Sequence, residues 1–155
     1  MSERDVTERI AISPTEATAY RSRREALHAA STDLDRDLAE IAGHEEAQLE
    51  RYRDALQRTI ATLERHVEEA DAPGGLLAQI MEAAPWLSPR AQRLRAEHHD
   101  LLTRARDLLA RADQDHDLGS LVLEARTLSA QISEHRHHGT ILLQDAYALD
   151  LAAGD

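Results

Sequence analysis

SLVLEARTLSAQISEHRHHGTILLQDAYALDL, residues 120–151, decides the fold. Leu121, Leu128, His135, Leu142 and Leu149 recur at seven-residue spacing, and Ala125, Ile132, Gly139 and Ala146 each fall four residues after one of the first four. Apolar residues at steps of three and four share one stripe of a helix, so the spacing predicts one long helix with a buried seam. The centre of that seam is a histidine.

The same pattern recurs upstream. Ser13-Pro14-Thr15-Glu16 combines a capping serine, a proline suited to the first helical position and a glutamate three residues on, which is a capping box. It opens a first helix to about Ile41, with Tyr20, Leu27, Leu34 and Ile41 in one row and Ser31 and Leu38 beside it. Gly43 closes that helix, and the acids of His44-Glu45-Glu46 suit the first turn of a second. The second carries Leu49, Leu56, Leu63 and Ala70, flanked by Tyr52, Ile60, His66 and Val67, and stops at Asp71-Ala72-Pro73-Gly74-Gly75. A short apolar helix over Leu76–Ala84 follows, then Ser88-Pro89 opens a third long helix to about Ala112. Its inward row is Leu94, Leu101 and Leu108, joined by His98, Ala105 and Ala112, before the polar turn 113–117. The expectation is an all-α, up-down-up-down antiparallel four-helix bundle over 13–151, one domain, with a short extra helix between helices 2 and 3. Residues 1–12 show no period and read as a flexible N-terminus.

Composition narrows the chemistry. The 155 residues contain no cysteine, which removes thiol nucleophiles, zinc–thiolate and iron–sulfur sites. A formal charge of -11 repels phosphate backbones and argues against nucleic-acid binding. The N-terminus MSERDVTERI lacks the apolar core of a signal peptide, and no run approaches the roughly 20 apolar residues that span a bilayer. These features predict a cytoplasmic protein without a membrane partner, and the apolar Leu76–Met81 stretch offers a face for a homodimer. No Ser-His-Asp arrangement, phosphate-binding glycine loop or inward carboxylate pair marks an enzyme; Gly74-Gly75 reads as a helix terminator.

The informative excess is histidine, nine in all. By helical phase, His66, His98 and His135 face inward on helices two, three and four. His138 lies one turn beyond His135 at the edge of the seam, and His28 sits at the margin of the first helix's apolar face. His99 and His137 point outward, and His44 and His116 fall between helices. Imidazoles converging in a bundle core suit a transition metal. The candidate ligands are therefore His66, His98 and His135, with Glu69, His138 or His28 completing the set. Glu134 and Asp145 lie off the stripe. The competing expectation is a non-metal, non-catalytic interaction or stress-related bundle, in which the inward histidines form a polar network.

Three segments carry a family resemblance. They are His66-Val-Glu-Glu69 followed by Pro-Gly-Gly-Leu-Leu; Leu94-Arg-Ala-Glu-His98-His99-Asp-Leu-Leu; and Glu134-His-Arg-His-His138-Gly139 running into Asp145-Ala-Tyr-Ala-Leu-Asp150. Over roughly residues 20–150 the chain resembles the hemerythrin-like (HHE-type) four-helix bundles, including small bacterial members. The resemblance implies a metal-binding or sensing protein with iron or another transition metal. It also exposes departures: Ala70, Leu102 and Thr140 stand where the family's di-iron pattern places Glu, His and Asp partners of His66, His98 and His135. Without those carboxylates the bridging oxygens of a diferric centre are lost.

Overall fold

The computed structural model describes residues 14–42, 46–114 and 117–153, all helical or in the links between helices, with no strand among them. The expected flexible segment 1–12, the Ser13 cap, the Gly43 stop, His44 and His116 lie outside the described residues. Five α-helices follow in order: α1 Pro14–Ala39, α2 Glu46–Ala70, α3 Leu76–Ala83, α4 Ser88–Ala112 and α5 Leu118–Ala153. A 3₁₀ turn, Pro85–Leu87, joins α3 to α4. The helix limits agree with the spacing within a few residues, and the break after Ala70 ends α2 where its pattern stops. At Gly74, φ is +80°, a left-handed conformation that glycine adopts without a Cβ penalty.

Packing follows the stripes. On α4, Ala91, Leu94, His98, Leu101, Ala105, Leu108 and Ala112 are all buried at alternating steps of three and four. On α5, Leu118, Leu121, Ala125, Leu128, Ile132, His135, Leu142 and Ala146 are buried in the same rhythm. The four long helices meet in a ring, α1 against α2, α2 against α4, α4 against α5 and α5 against α1. Each helix thus hides its stripe between two neighbours, which is the geometry that rewards a wide apolar face.

Two apolar clusters fill the interior. The larger contains Leu27, Leu34, Tyr52, Leu63, Leu101, Leu128 and Ile132 among others. The second holds Tyr20, Leu76, Leu77, Ile80, Leu94 and Leu142. The apolar α3 is spent inside this second cluster, with Leu76, Leu77 and Ile80 buried. The surface expected to serve a homodimer is therefore used within the chain. No helix among the described residues is long and apolar enough to cross a membrane.

Candidate metal centre

Between the two clusters lies a polar layer. On α2 it falls after Leu63, on α4 between Leu94 and Leu101, and on α5 between Ile132 and Leu142. Those gaps are filled by His66, His98 and His135, which are 6%, 3% and 5% exposed. The heptad places them: His135 continues the buried row Leu121 and Leu128, His98 the row Ala91 and Ala105, and His66 the row Tyr52 and Thr59, so each ring starts from a seam position and is aimed inward.

The rings meet edge-on. Interplanar angles are 84° for His66–His98, 87° for His66–His135 and 69° for His98–His135. His66 Nε2 lies 3.2 Å from His98 Nε2 and 3.5 Å from His135 Nε2. One ring nitrogen from each of the three histidines lies within 4.8 Å of the others.

Carboxylates hold two of the three rings from behind. Asp71 Oδ1 is 2.9 Å from His98 Nδ1, and Glu97 Oε2 is 2.9 Å from His135 Nδ1. Glu97 also reaches outward, with Oε1 2.7 Å from His138 Nδ1. A carboxylate accepts only, so each Nδ1 carries the proton and donates it, which leaves a lone pair on Nε2. His66 differs: its Nδ1 is buried and has no hydrogen-bond partner among the described residues.

Burial sets the protonation. It pushes the pKa of His66 far down, with further lowering from His98 and His135. For His98, burial followed by His135 brings the value to about 3. Burial also lowers His135, overcoming the opposite pull of Glu97. All three imidazoles are neutral bases near neutral pH, the form that binds metals. Burial pushes Asp71 up. It pushes Glu97 up as well, but hydrogen bonds from His135 and His138 bring that carboxyl below its ordinary value.

No protein-family model, curated protein or solved structure matches the chain at a significant level. The site must be read from its own chemistry.

Three of the six candidate ligands come together: His66, His98 and His135. The others stand apart from them. Glu69 is 48% exposed and faces Arg23 at 3.8 Å. His138 is 45% exposed, tied to Glu97 and 3.7 Å from Glu134. His28 is exposed and lines a surface hollow with Arg24, Glu25 and His137. His99 and His137 are exposed, as their phase predicts.

The supporting carboxylates were not anticipated from sequence. Glu97 directly precedes an inward histidine on α4, and its phase alone makes it a margin residue. Asp71 sits in the helix break, where an acid reads as a turn former. Only the fold of the break against α4 reveals what it touches.

Proposed function

We propose that this chain is a hemerythrin-like, up-down-up-down four-helix bundle that binds one transition-metal ion through His66, His98 and His135. A proton count carries the reading. His98 and His135 spend their protons on Asp71 and Glu97, so two lone pairs converge on His66 Nε2. A proton on His66 Nε2 can satisfy one of them and leaves the other, and His66 Nδ1, unserved. A proton on His66 Nδ1 leaves three lone pairs facing each other. A cation accepts all three at once. The cost of facing, unsatisfied lone pairs is then removed, and the proton of His66 stays on Nδ1, which has no partner among the described residues.

The spacing agrees. Metal–nitrogen bonds of 2.0–2.1 Å at tetrahedral angles put donor nitrogens about 3.3 Å apart, and two of the distances here are 3.2 and 3.5 Å. Asp71 and Glu97 supply the carboxylate–histidine support that orients metal-binding imidazoles. Three neutral nitrogens leave at least one position for an exogenous ligand, which gives Lewis acidity rather than a closed structural site. Imidazole donors suit zinc, cobalt, nickel, copper or ferrous iron.

A surface groove of about 590 Å³, lined by Glu97, Asp100, Asp107, Glu134 and His138 together with Arg104, has His135 in its wall. Its acids raise the local concentration of cations. Kinship with the hemerythrin-like bundles is supported by the ring of four long helices with inward histidines on three of them. The absence of partners at Ala70, Leu102 and Thr140 makes the centre mononuclear in this reading.

The test is metal content by mass spectrometry after incubation with zinc, cobalt or nickel and gel filtration. One equivalent per chain is expected, lost in His98→Ala/His135→Ala. No metal on the wild-type chain, or unchanged content in the double variant, overturns the proposal.

A further inference from the structure

The polar layer has a fourth corner. Arg23 on α1 lies three residues after Tyr20 and four before Leu27, the spacing of the buried seam, and is 7% exposed. The long helices α1, α2, α4 and α5 thus contribute Arg23, His66, His98 and His135 respectively. Arg23 Nε and Nη2 have no hydrogen-bond partner among the described residues. Among the described residues Nη1 has only the exposed Glu69 carboxylate, at 3.8 Å, and the guanidinium carbon lies 5.9 Å from the centre of the Tyr20 ring. Arg23 and the three histidines line one small cavity of about 20 Å³. Arg136 lines it too, and its Nε is likewise without a partner.

A buried guanidinium with idle N–H groups is costly, and beside a metal ion it is also repulsive. Charge sharpens the problem. A divalent ion would sit beside Arg23, with Arg24 and Arg136 also lining the cavity, against Asp71, Glu97 and the half-exposed Glu69, so positive charge is in excess. A monoanion with one oxygen at the open metal position and the other on the guanidinium lowers that excess and gives the idle N–H groups an acceptor. Arginine's planar fork matches two-oxygen anions in a way that a point charge does not.

We propose that the cavity between Arg23 and the three histidines binds a small carboxylate-type monoanion, held jointly by the metal and by the Arg23 guanidinium. The inference rests on the metal reading above. The cavity's size restricts the ligand to a few heavy atoms and excludes a bulky metabolite. The two sides of the site then differ in charge: a mainly acidic groove with His135 in its wall, and a cavity lined by Arg23, Arg24 and Arg136.

Cobalt(II)-loaded protein reports both events, because its visible absorption changes when a coordination position changes. Titration with sodium formate is expected to give a saturable spectral shift in the wild type. Arg23→Met should keep one cobalt per chain and wild-type circular dichroism, yet bind formate at least about tenfold more weakly, the loss typical of a charge-assisted hydrogen bond. Arg23→Lys, which keeps the charge without the fork, should fall between. A cobalt-loaded wild type blind to formate overturns this inference alone, as does equal formate affinity in Arg23→Met. Failure of the wild type to take up cobalt overturns the metal reading and this inference together. Should Arg23→Met not fold, wild-type formate affinity in Arg23→Lys overturns the role given to the fork.

Discussion

Asp71 Oδ1 lies 2.9 Å from His98 Nδ1, so a residue of the break after α2 fixes the proton of a ring on α4. That contact turns the opposite edge of His98, bearing the Nε2 lone pair, toward His66 and His135. Asp71→Asn keeps the shape but can present its amide nitrogen instead of an acceptor, which disturbs the tautomer and the ring's orientation. Metal affinity should fall about 10–100-fold, the usual cost of losing such a support. Competition with a chromophoric chelator measures it. Affinity within twofold of wild type would remove Asp71 from the site.

The helices and the inward histidines were legible in the sequence because both depend on phase, and phase survives without coordinates. Leu121, Leu128 and Leu142 fix the face of α5, so His135 between them had to point inward. Arg23 obeyed the same spacing between Tyr20 and Leu27, but a seam arginine reads as a surface residue until its burial is seen. Asp71 and Glu97 were not readable as site residues. One sits in a break with no period, and the other is a margin residue whose partner lies on another helix. Glu69, one turn from His66, had suitable phase, yet its half-exposed carboxylate meets Arg23 at 3.8 Å and is not part of the histidine cluster. Sequence spacing selects faces; it does not select which of two margin carboxylates reaches a neighbour.

Acid should unfold the metal-free protein earlier than its carboxylates alone require. In the unfolded chain the histidines protonate near pH 6.5, whereas burial holds His66 and His98 neutral far below that in the fold. The unfolded state therefore binds more protons, and stability falls as pH drops below about 6.5. Each such histidine contributes roughly 1.4 kcal/mol per pH unit in that window, until its folded-state pKa is reached. Urea midpoints of chelator-treated protein at pH 7 and pH 5 test this. Equal midpoints would mean that the rings are charged or solvated in the fold.

At Gly139 of α5 the Tyr20 side chain of α1 lies directly against the backbone. A Cβ at this position would collide with the Tyr20 hydroxyl, the tip of a stiff and buried side chain. Gly→Ala in a helix normally gains about 1 kcal/mol, but overpacking costs roughly 1–3 kcal/mol. Gly139→Ala is expected to be net destabilising by about 1 kcal/mol in chemical denaturation. In a Tyr20→Phe background, where the colliding oxygen is gone and the ring Cζ at 3.3 Å is the nearest atom left, the cost should shrink. A stabilising Gly139→Ala in the wild-type background would show that Tyr20 moves freely.

The three histidines should reduce the stability of the metal-free fold rather than raise it. Neighbouring seam positions hold leucines that are at most 6% exposed, such as Leu63, Leu94 and Leu101, so each imidazole occupies a place suited to an apolar side chain. Two carboxylates support two rings, while His66 Nδ1 has no partner among the described residues. Replacing a partly satisfied buried polar cluster by packed aliphatic residues is often neutral or stabilising. The triple change His66→Leu/His98→Leu/His135→Leu releases Asp71 and Glu97 to water, which both reach at 29% and 25% exposure. In the presence of chelator this variant should melt above the wild type by several degrees, about 1 kcal/mol for a chain of this size. Added zinc should raise the wild type and leave the variant unchanged, because only the wild type has a bound state to draw on. The opposite order, a triple variant markedly less stable than the metal-free wild type, would mean that the histidines hold the fold together as a polar network. That result would favour the non-metal bundle over a ligand site.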